Sequence, residues 1–445
     1  MRVTWVQPED VVRHELWQSE QEGKDVAAVR RAWREAGGED GFPYGGATAD
    51  PAPPTLRARA LELLDDLAAL TGPADADEPS DWPGIIAQLG TVPATGATAD
   101  PERITSAWLG RGIGCVLGKP VEKIPRAGIE EILRATDRWP LDRWFTAVGL
   151  PEEVSQRWPW NRASRPTSLE ENIDGMPEDD DTNYTLMALR LIEQHGRDFT
   201  ADDVAQMWLL DLPAGRVFTA ERAAYRNLLM GMSPPETAFH HNPFREWIGA
   251  QIRTDLYGWV NPGDPLAAAE MAFRDASVSH TRNGIYGAMF VAAMASLAVT
   301  GASVEQVLDA GEAVVPPRSR LRAAIRFGRE LAERGVGYAE AYPELERAYG
   351  HVHWVHSLNN SALVAYALTS SDGDFSTAIC RTVMGGWDTD SNGATVGAVM
   401  GAVVGPEGIE RRWSEPLHDR LSTSIPGCDG SSFGDLARRT IALLP

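Results

Sequence analysis

The sequence predicts an all-α fold, and three observations carry that expectation. Apolar residues recur at helical spacing in segment after segment from about residue 101 onward. Runs of alternating Val, Ile, Thr and Tyr are scarce. Many segments close on helix stop signals, such as "EQHGRD" after 195, "TGAS" at 300 and "ERGVG" at 333. Helix after helix with no strands between them leaves a helix-on-helix architecture.

In chain order, residues 1–36 read as a short helical lead-in, "VVRHELWQ" and "VAAVRRAWREAG", ending at Gly37-Gly38. Between 38 and 101 the composition shifts to Gly, Pro, Ala, Asp and Thr, and the hexamer "GATADP" occurs at 46–51 and again at 96–101. A repeat this short reads as linker rather than as a structural unit. One helix, 55–70, lies between the two copies. Beyond 101 the predicted helices are 101–117, 182–195, 201–210, 219–230, 265–274, 283–299, 303–313, 318–334, 357–368, 374–383, 392–404 and 433–443. The expected organisation is one large helical domain, 101–445, with residues 1–100 as an extension packed onto it.

At 445 residues the chain can bury a large core, and 43% hydrophobic with 23% charged residues is the balance of a globular protein in water. A net charge of −22 argues against a nucleic-acid duplex as partner, and it requires a cation wherever an anionic ligand is to bind. Cys115, Cys380 and Cys428 are too few and too scattered for a disulfide framework, which points to a reducing compartment. The N-terminus lacks the basic and apolar regions of a signal peptide, and "GAMFVAAMASLAV" and "ATVGAVMGAVV" fall short of the roughly 20 residues a membrane span needs. The expectation is a cytoplasmic protein with no membrane contact.

Two acidic clusters stand out. In "GMPEDDDTNYTLMALRLIEQHG", 175–196, four acids precede Thr182 and an amphipathic helix. Helix capping accounts for one or two of them, because carboxylates satisfy the first N–H groups and the helix dipole. Four adjacent acids repel one another, and a hard cation such as Mg²⁺ would relieve that cost. In "GGWDTDSNGATVG", 385–397, Asp388, Asp390 and Ser391 stand at the mouth of another helix. Behind them Gly393, Gly397, Gly401 and Gly405 recur every four residues and line one face. Mid-helix glycines cost about 1 kcal/mol each against Ala, so close packing must offset them. The inference is a deeply seated helix that holds its acidic start rigidly, and two such clusters could together ligate a pair of Mg²⁺ ions. A third segment, "SAWLGRGIGCVLGKPVEKI", has glycines but neither the spacing nor the strand of a dinucleotide loop. It reads as a small-residue helix followed by a turn bearing Glu122, a residue that on its own more often faces solvent than acts in catalysis.

Together these segments resemble the ADP-ribosylglycohydrolase family. The resemblance rests on "GCVLGKPVE" with Glu122, on Asp180-Asp181-Thr182, on "VSHTRNGIYGAMFVAAMASLA" with His280, and on "GGWDTDSNGATVGAVMGA", covering roughly 103–405. It implies an all-α fold with two Mg²⁺ ions in a cleft, hydrolysing an N- or O-glycosidic bond at a ribose anomeric carbon. Carried over by position, Asp179, Asp180, Asp181, Asp388, Asp390 and Ser391 would ligate the metals. Glu122 and Asp181 would be the catalytic carboxylates, and Gly118, His280, Asn283 and Trp387 would meet the substrate. Asp179 and Ser391 stand where the family commonly has hydroxyl residues, and Trp387 is inserted after the glycine pair. Trp387 either stacks on a base or fills the core. The partner implied is an ADP-ribosylated protein or a small ribosyl molecule, with a nucleoside hydrolase and a non-catalytic ADP-ribose-binding module as alternatives.

Other signals carry less. His351, His353 and His356 have a zinc-compatible spacing but no cysteine nearby, and capping or substrate contact competes with metal binding. Arg245 and Arg253 could meet a phosphate, but a surface or salt-bridge role is the favoured reading for both. No G-x-S-x-G motif supports a serine nucleophile.

Overall fold

The glycine-lined helix behind Asp388 and Asp390 forms as Thr389–Val404 and lies against the Pro101–Gly118 helix along its length. Gly110 faces Gly397, Gly114 faces Gly393, and Gly118 faces Thr389, so the two helices run antiparallel. A methyl group built on Gly110 would stand 2.9 Å from the carbonyl carbon of Gly397, and one on Gly393 would stand 2.9 Å from that of Gly114. Only glycine permits this backbone-to-backbone approach. The antiparallel sense has a direct consequence: the end of the first helix, leading to Glu122, meets the acidic start of the second.

A computed structural model describes residues 2–42 and 45–445 of the chain. Among these residues there are α-helices, 3-10 turns and three isolated β-bridges, and no strand, so the fold is all-α. The Arg282–Ala298 helix is apolar all round and buried on every face, as such a helix must be. Asp180–His195 and Ser357–Thr369 flank the glycine seam. Each helix predicted from the sequence forms, with ends shifted by up to three residues. Tyr338–Tyr349 lies outside the predicted set, because its interior Pro343 removes a hydrogen-bond donor and interrupts the helical pattern.

In the first hundred residues, Pro8–Gln21, Ala27–Glu35 and Pro54–Ala68 share a small core of Val11, Leu16, Trp33, Leu63 and neighbours. Buried ion pairs fasten these helices to the rest. Arg245 reaches Glu15 and Glu22, both at 2.7 Å, and Arg320 reaches Glu78 at 2.6 Å. Arg253 is likewise buried, between Glu221 and Asp275. Both arginines therefore serve internal ion pairs and neither is at the surface. The "GATADP" copies fold differently: Gly46 O accepts the Trp5 N–H at 2.6 Å, whereas Asp100 caps the Pro101–Gly118 helix. The three cysteines are buried and unpaired. Among the described residues, no helix is long and apolar enough to cross a membrane.

Candidate active site

Where the seam ends, a cavity of about 360 Å³ opens, lined by Glu122, Asp179, Asp180, Asp388, Asp390 and Ser391 together with aromatic residues. Two helix starts and one helix end converge here. The Thr389 hydroxyl donates to Gly118 O at 2.8 Å and ties the antiparallel pair at the site. Asp388 is the N-cap residue of Thr389–Val404, and Asp390 and Ser391 belong to its first turn. Asn360 Oδ1 holds this entry by accepting from Asn392 Nδ2 at 2.6 Å and from the Asp388 N–H at 3.3 Å.

On the opposite wall Asp179 is the N-cap of Asp180–His195: one oxygen accepts the Asp181 N–H at 2.9 Å and the other pairs with the buried Lys119 ammonium. Asp180 and Asp181 follow in the first turn. Successive helical residues diverge by about 100°, so only one of the two can face the cavity. Asp180 lines it. Asp181 points behind the wall, with Oδ2 3.9 Å from Cys115 Sγ. Glu122 completes the ring. Its carboxylate accepts from Asn161 Nδ2 at 2.5 Å and pairs with Lys123 at 3.0 Å.

The electrostatics follow from burial. Burial pushes the Asp180, Asp181 and Asp388 carboxyls well above the usual range; Asp179 and Asp390 push Asp180 and Asp181 further, and Asp390 and Glu122 push Asp388 further. Asp390 is pushed up to about 7 by burial, with Glu122 and Asp179 adding to it. Burial opposes the charge of Lys119, but Asp179 more than offsets it and holds the ammonium above its ordinary range. Lys119 and Lys123 each pair with one acid of this ring and leave Asp180, Asp388 and Asp390 without a cation of their own.

The donor set fits a hard divalent cation. It consists of carboxylate oxygens and a hydroxyl, whereas Asp181, behind the wall, turns Oδ1 toward the buried Arg111 guanidinium at 3.7 Å. Cys115, Asp179 and Asp181 also bring ligand atoms within 4.8 Å of one another. Both Asp179 oxygens are already engaged, however, and burial with the adjacent acids raises the Cys115 thiol well above its usual range. The carboxylates on the cavity side are therefore the better-placed donors.

Of the residues expected from sequence, Glu122, Asp179, Asp180, Asp388, Asp390 and Ser391 meet at one cavity, and five others do not line it. Asp181 is turned away by helix geometry. Gly118 is spent on the close approach to Thr389. His280 is fully buried, 2.8 Å from Ser279 Oγ and 3.9 Å from Glu221. Asn283 joins two core segments, donating to Glu246 at 2.9 Å and accepting the Leu321 N–H at 2.9 Å. Trp387, at φ 60°, packs against the main core, which favours the core-filling alternative for this residue. His356 caps Ser357–Thr369 and buried His353 stacks on Trp247, so neither is set up as a zinc ligand.

Sequence reasoning missed several wall residues. Lys119 stands just beyond the predicted 101–117 helix, with no local signal that its side chain turns inward. Asn161 and Glu221 sit in unremarkable sequence, and burial pushes Glu221 up to about 7 against the pull of Arg253. Asn360, which does not line the cavity but supports the Asp388 turn, had a weak signal in the polar pair "NN" at an otherwise apolar helix start. Trp5, Trp247 and Trp354 had none beyond the count of 15 tryptophans.

An uncharacterized protein of Archaeoglobus fulgidus is 26% identical over 287 residues, which is 62% of this chain and 88% of that protein. A solved structure described as an ADP-ribosylglycohydrolase-related protein complex is 20% identical, covers 77% of this chain and 97% of its own, and superposes with a TM-score of 0.48. The family model for ADP-ribosylglycohydrolase matches residues 97–443, the span that holds the glycine seam and every carboxylate of the cavity. This chain belongs to the ADP-ribosylglycohydrolase family, whose members are glycosidic hydrolases.

Proposed function

We propose that this protein is a Mg²⁺-dependent hydrolase that cleaves an N- or O-glycosidic bond at the anomeric carbon of a ribosyl substrate. One observation carries the reading: Glu122 shares a cavity wall with Asp180, Asp388, Asp390 and Ser391, brought together by the antiparallel glycine seam. Asp180, Asp388, Asp390 and the Ser391 hydroxyl would hold two Mg²⁺ ions, with Asp179 and Asp181 completing the acidic surround. Bound there, Mg²⁺ would neutralise the cluster, grip ribose hydroxyls and acidify a water.

The chain's own groups then have defined tasks. Glu122, fixed by Asn161 and Lys123, takes the proton of the attacking water. The remaining carboxylates stabilise positive charge developing on the ribose ring, as paired carboxylates do in other glycosidases. Asn360 keeps the Asp388 turn from shifting as charge changes. A buried, shaped cavity orients C1 toward the water, and misplacement by about 1 Å costs roughly 100-fold in rate.

The test is hydrolysis by the full chain of ADP-ribosyl-arginine, ADP-ribosyl-serine and a nucleoside panel, with Mg²⁺ titrated after chelation. Asp390→Ala should abolish both Mg²⁺ binding by calorimetry and turnover. Turnover retained in that variant would refute the metal-centred reading. Tight ligand binding in saturating Mg²⁺ with no hydrolysis of any panel member would replace it with a non-catalytic ADP-ribose-binding module.

A further inference from the structure

The cavity has a second wall that the acidic motifs do not explain. Trp5, Phe218, Trp247 and Trp354 line it, and Trp5 lies outside residues 97–443, the span matched by the family. The rings form a continuous row. Trp5 meets Trp247 edge to face at 5.9 Å, Trp247 stacks on His353 at 4.2 Å and 13°, and His353 meets Trp354 at 5.6 Å. The Lys123 ammonium sits 5.9 Å from the centre of the Trp354 ring and 3.0 Å from Glu122. The row therefore runs from the N-terminal extension to the carboxylate held responsible for activating water.

Trp5 is placed rather than loosely attached. Its backbone has φ 68°, a left-handed conformation that bulky residues seldom adopt and that persists only where surroundings impose it. Its N–H donates to Gly46 O at 2.6 Å, and Arg222 donates to the adjacent Thr4 hydroxyl at 2.5 Å. The indole packs edge-on against Phe244 at 5.3 Å and lies 5.7 Å from His14, itself buried on the Pro8–Gln21 helix. Three segments distant in sequence thus fix one ring at the cavity.

The charges of the lining decide what that row can receive. Seven carboxylates and three cations line the cavity, and each cation already has an acid partner. Lys119 pairs with Asp179, Lys123 with Glu122, and Arg216 with Glu178 at 2.8 Å. With the proposed Mg²⁺ ions engaged at the ribose end of the cavity, no lining side-chain cation among the described residues is left over to receive a phosphate. Indole faces, by contrast, attract flat rings and cations.

We infer that the N-terminal extension is part of the substrate site, with Trp5 completing an aromatic wall that stacks the planar leaving group of a phosphate-free ribosyl compound, neutral or cationic. The ribose sits at the acidic wall and the flat ring lies along the tryptophan row. The cavity volume, about 360 Å³, is at the lower end of the roughly 300–1,000 Å³ typical of small-molecule sites. This inference rests on the hydrolase reading above and names its substrate class.

The experiment uses the full chain in Mg²⁺, with nicotinamide riboside, adenosine and ADP-ribose as probes. Binding is measured by calorimetry and turnover by release of the free base. At least one of the two phosphate-free ribosides should bind more tightly than ADP-ribose. Trp5→Ala should raise its Kd and KM roughly ten- to hundredfold, the range for losing one stacked aromatic partner, with kcat changed less than about twofold. Trp5→Phe should restore most of the affinity. If Trp5→Ala does not fold, Trp5→Leu, which keeps bulk without a π-face, should lose affinity where Trp5→Phe keeps it. Unchanged Kd in the Ala or Leu variant, tighter binding of ADP-ribose, or no binding of either riboside would overturn the inference. Asp390→Ala separates the two levels. If it abolishes turnover while the Trp5 variants behave as wild type, only the aromatic wall is wrong; if it retains turnover, the hydrolase reading fails as well.

Discussion

Replacing Gly110 by Ala adds one methyl group, yet the seam geometry makes it a severe change. The new carbon would lie 2.9 Å from the carbonyl carbon of Gly397 and 3.3 Å from Gly401 Cα, and closer still to the Gly397 oxygen. Ordinary contact begins near 3.4 Å, and the atoms met are backbone, so no side chain can swing aside. The helices must separate by about 1 Å, in a core packed as tightly as a crystal. Overpacking of this kind costs about 1–3 kcal/mol, against which the helix propensity of Ala returns about 1 kcal/mol. A net loss of up to about 2 kcal/mol follows. Activity should suffer more than stability, because the seam sets the spacing between Glu122 and Asp390, and a displacement of about 1 Å is worth roughly 100-fold in rate. Gly434→Ala is the matched control: its new methyl would meet nothing closer than 3.7 Å, at Ser432 Oγ. Urea denaturation and turnover on the best substrate, measured for both variants, decide the matter. If Gly110→Ala is as stable and active as Gly434→Ala, the seam is not the mount of the site.

Two further outcomes follow. Asp180, Asp181 and Asp388 have folded-state pKa values well above their ordinary 3.8, so the folded chain holds protons that the unfolded chain releases. Metal-free stability should therefore fall as pH rises above about 4, and saturating Mg²⁺ should flatten that slope and raise Tm at pH 7. Calorimetric scans across pH with and without chelator would show it, and identical slopes would contradict the proposed ligand set. Arg245→Ala leaves Glu15 buried without its cation, while Glu22 keeps Lys24 and Arg282, and should cost about 3–5 kcal/mol in urea unfolding. A loss under about 1 kcal/mol would show that this ion pair does not fasten the extension.

The sequence was most informative where structure depends on local spacing. Glycines four apart announce one close-packed helix face, and the Gly110–Gly114–Gly118 row announces its partner, so the seam could be anticipated from either half. What spacing alone could not supply was the helix register. Starting the first acidic helix at 182 leaves Asp180 and Asp181 in an unstructured run where both might reach a ligand. Starting it at 180, with Asp179 as cap, separates their directions by about 100° and sends Asp181 behind the wall. The second helix starts at Thr389 rather than 392, which moves Asp390 and Ser391 from a loop into a rigid first turn. A shift of two or three residues, within the usual disagreement over helix ends, thus decides which acids face the cavity.

Lys119 and Trp5 show a different limit. Lys119 follows a helix and looks like a solvated C-terminal cation, a favourable place for charge. The 3-10 turn Lys119–Val121 instead folds it inward, and the acids that hold it there come from a helix sixty residues on. Trp5 is held at the cavity by several distant anchors: the Gly46 carbonyl, Arg222 on the Thr4 hydroxyl, and Glu15 and Glu22 on Arg245, two residues before Trp247. The Arg245 pairs join the extension to the segment that carries Trp247. Long-range contacts with no local periodicity thus place Trp5, and that is why a pattern read along the chain could find the acids but not the rings.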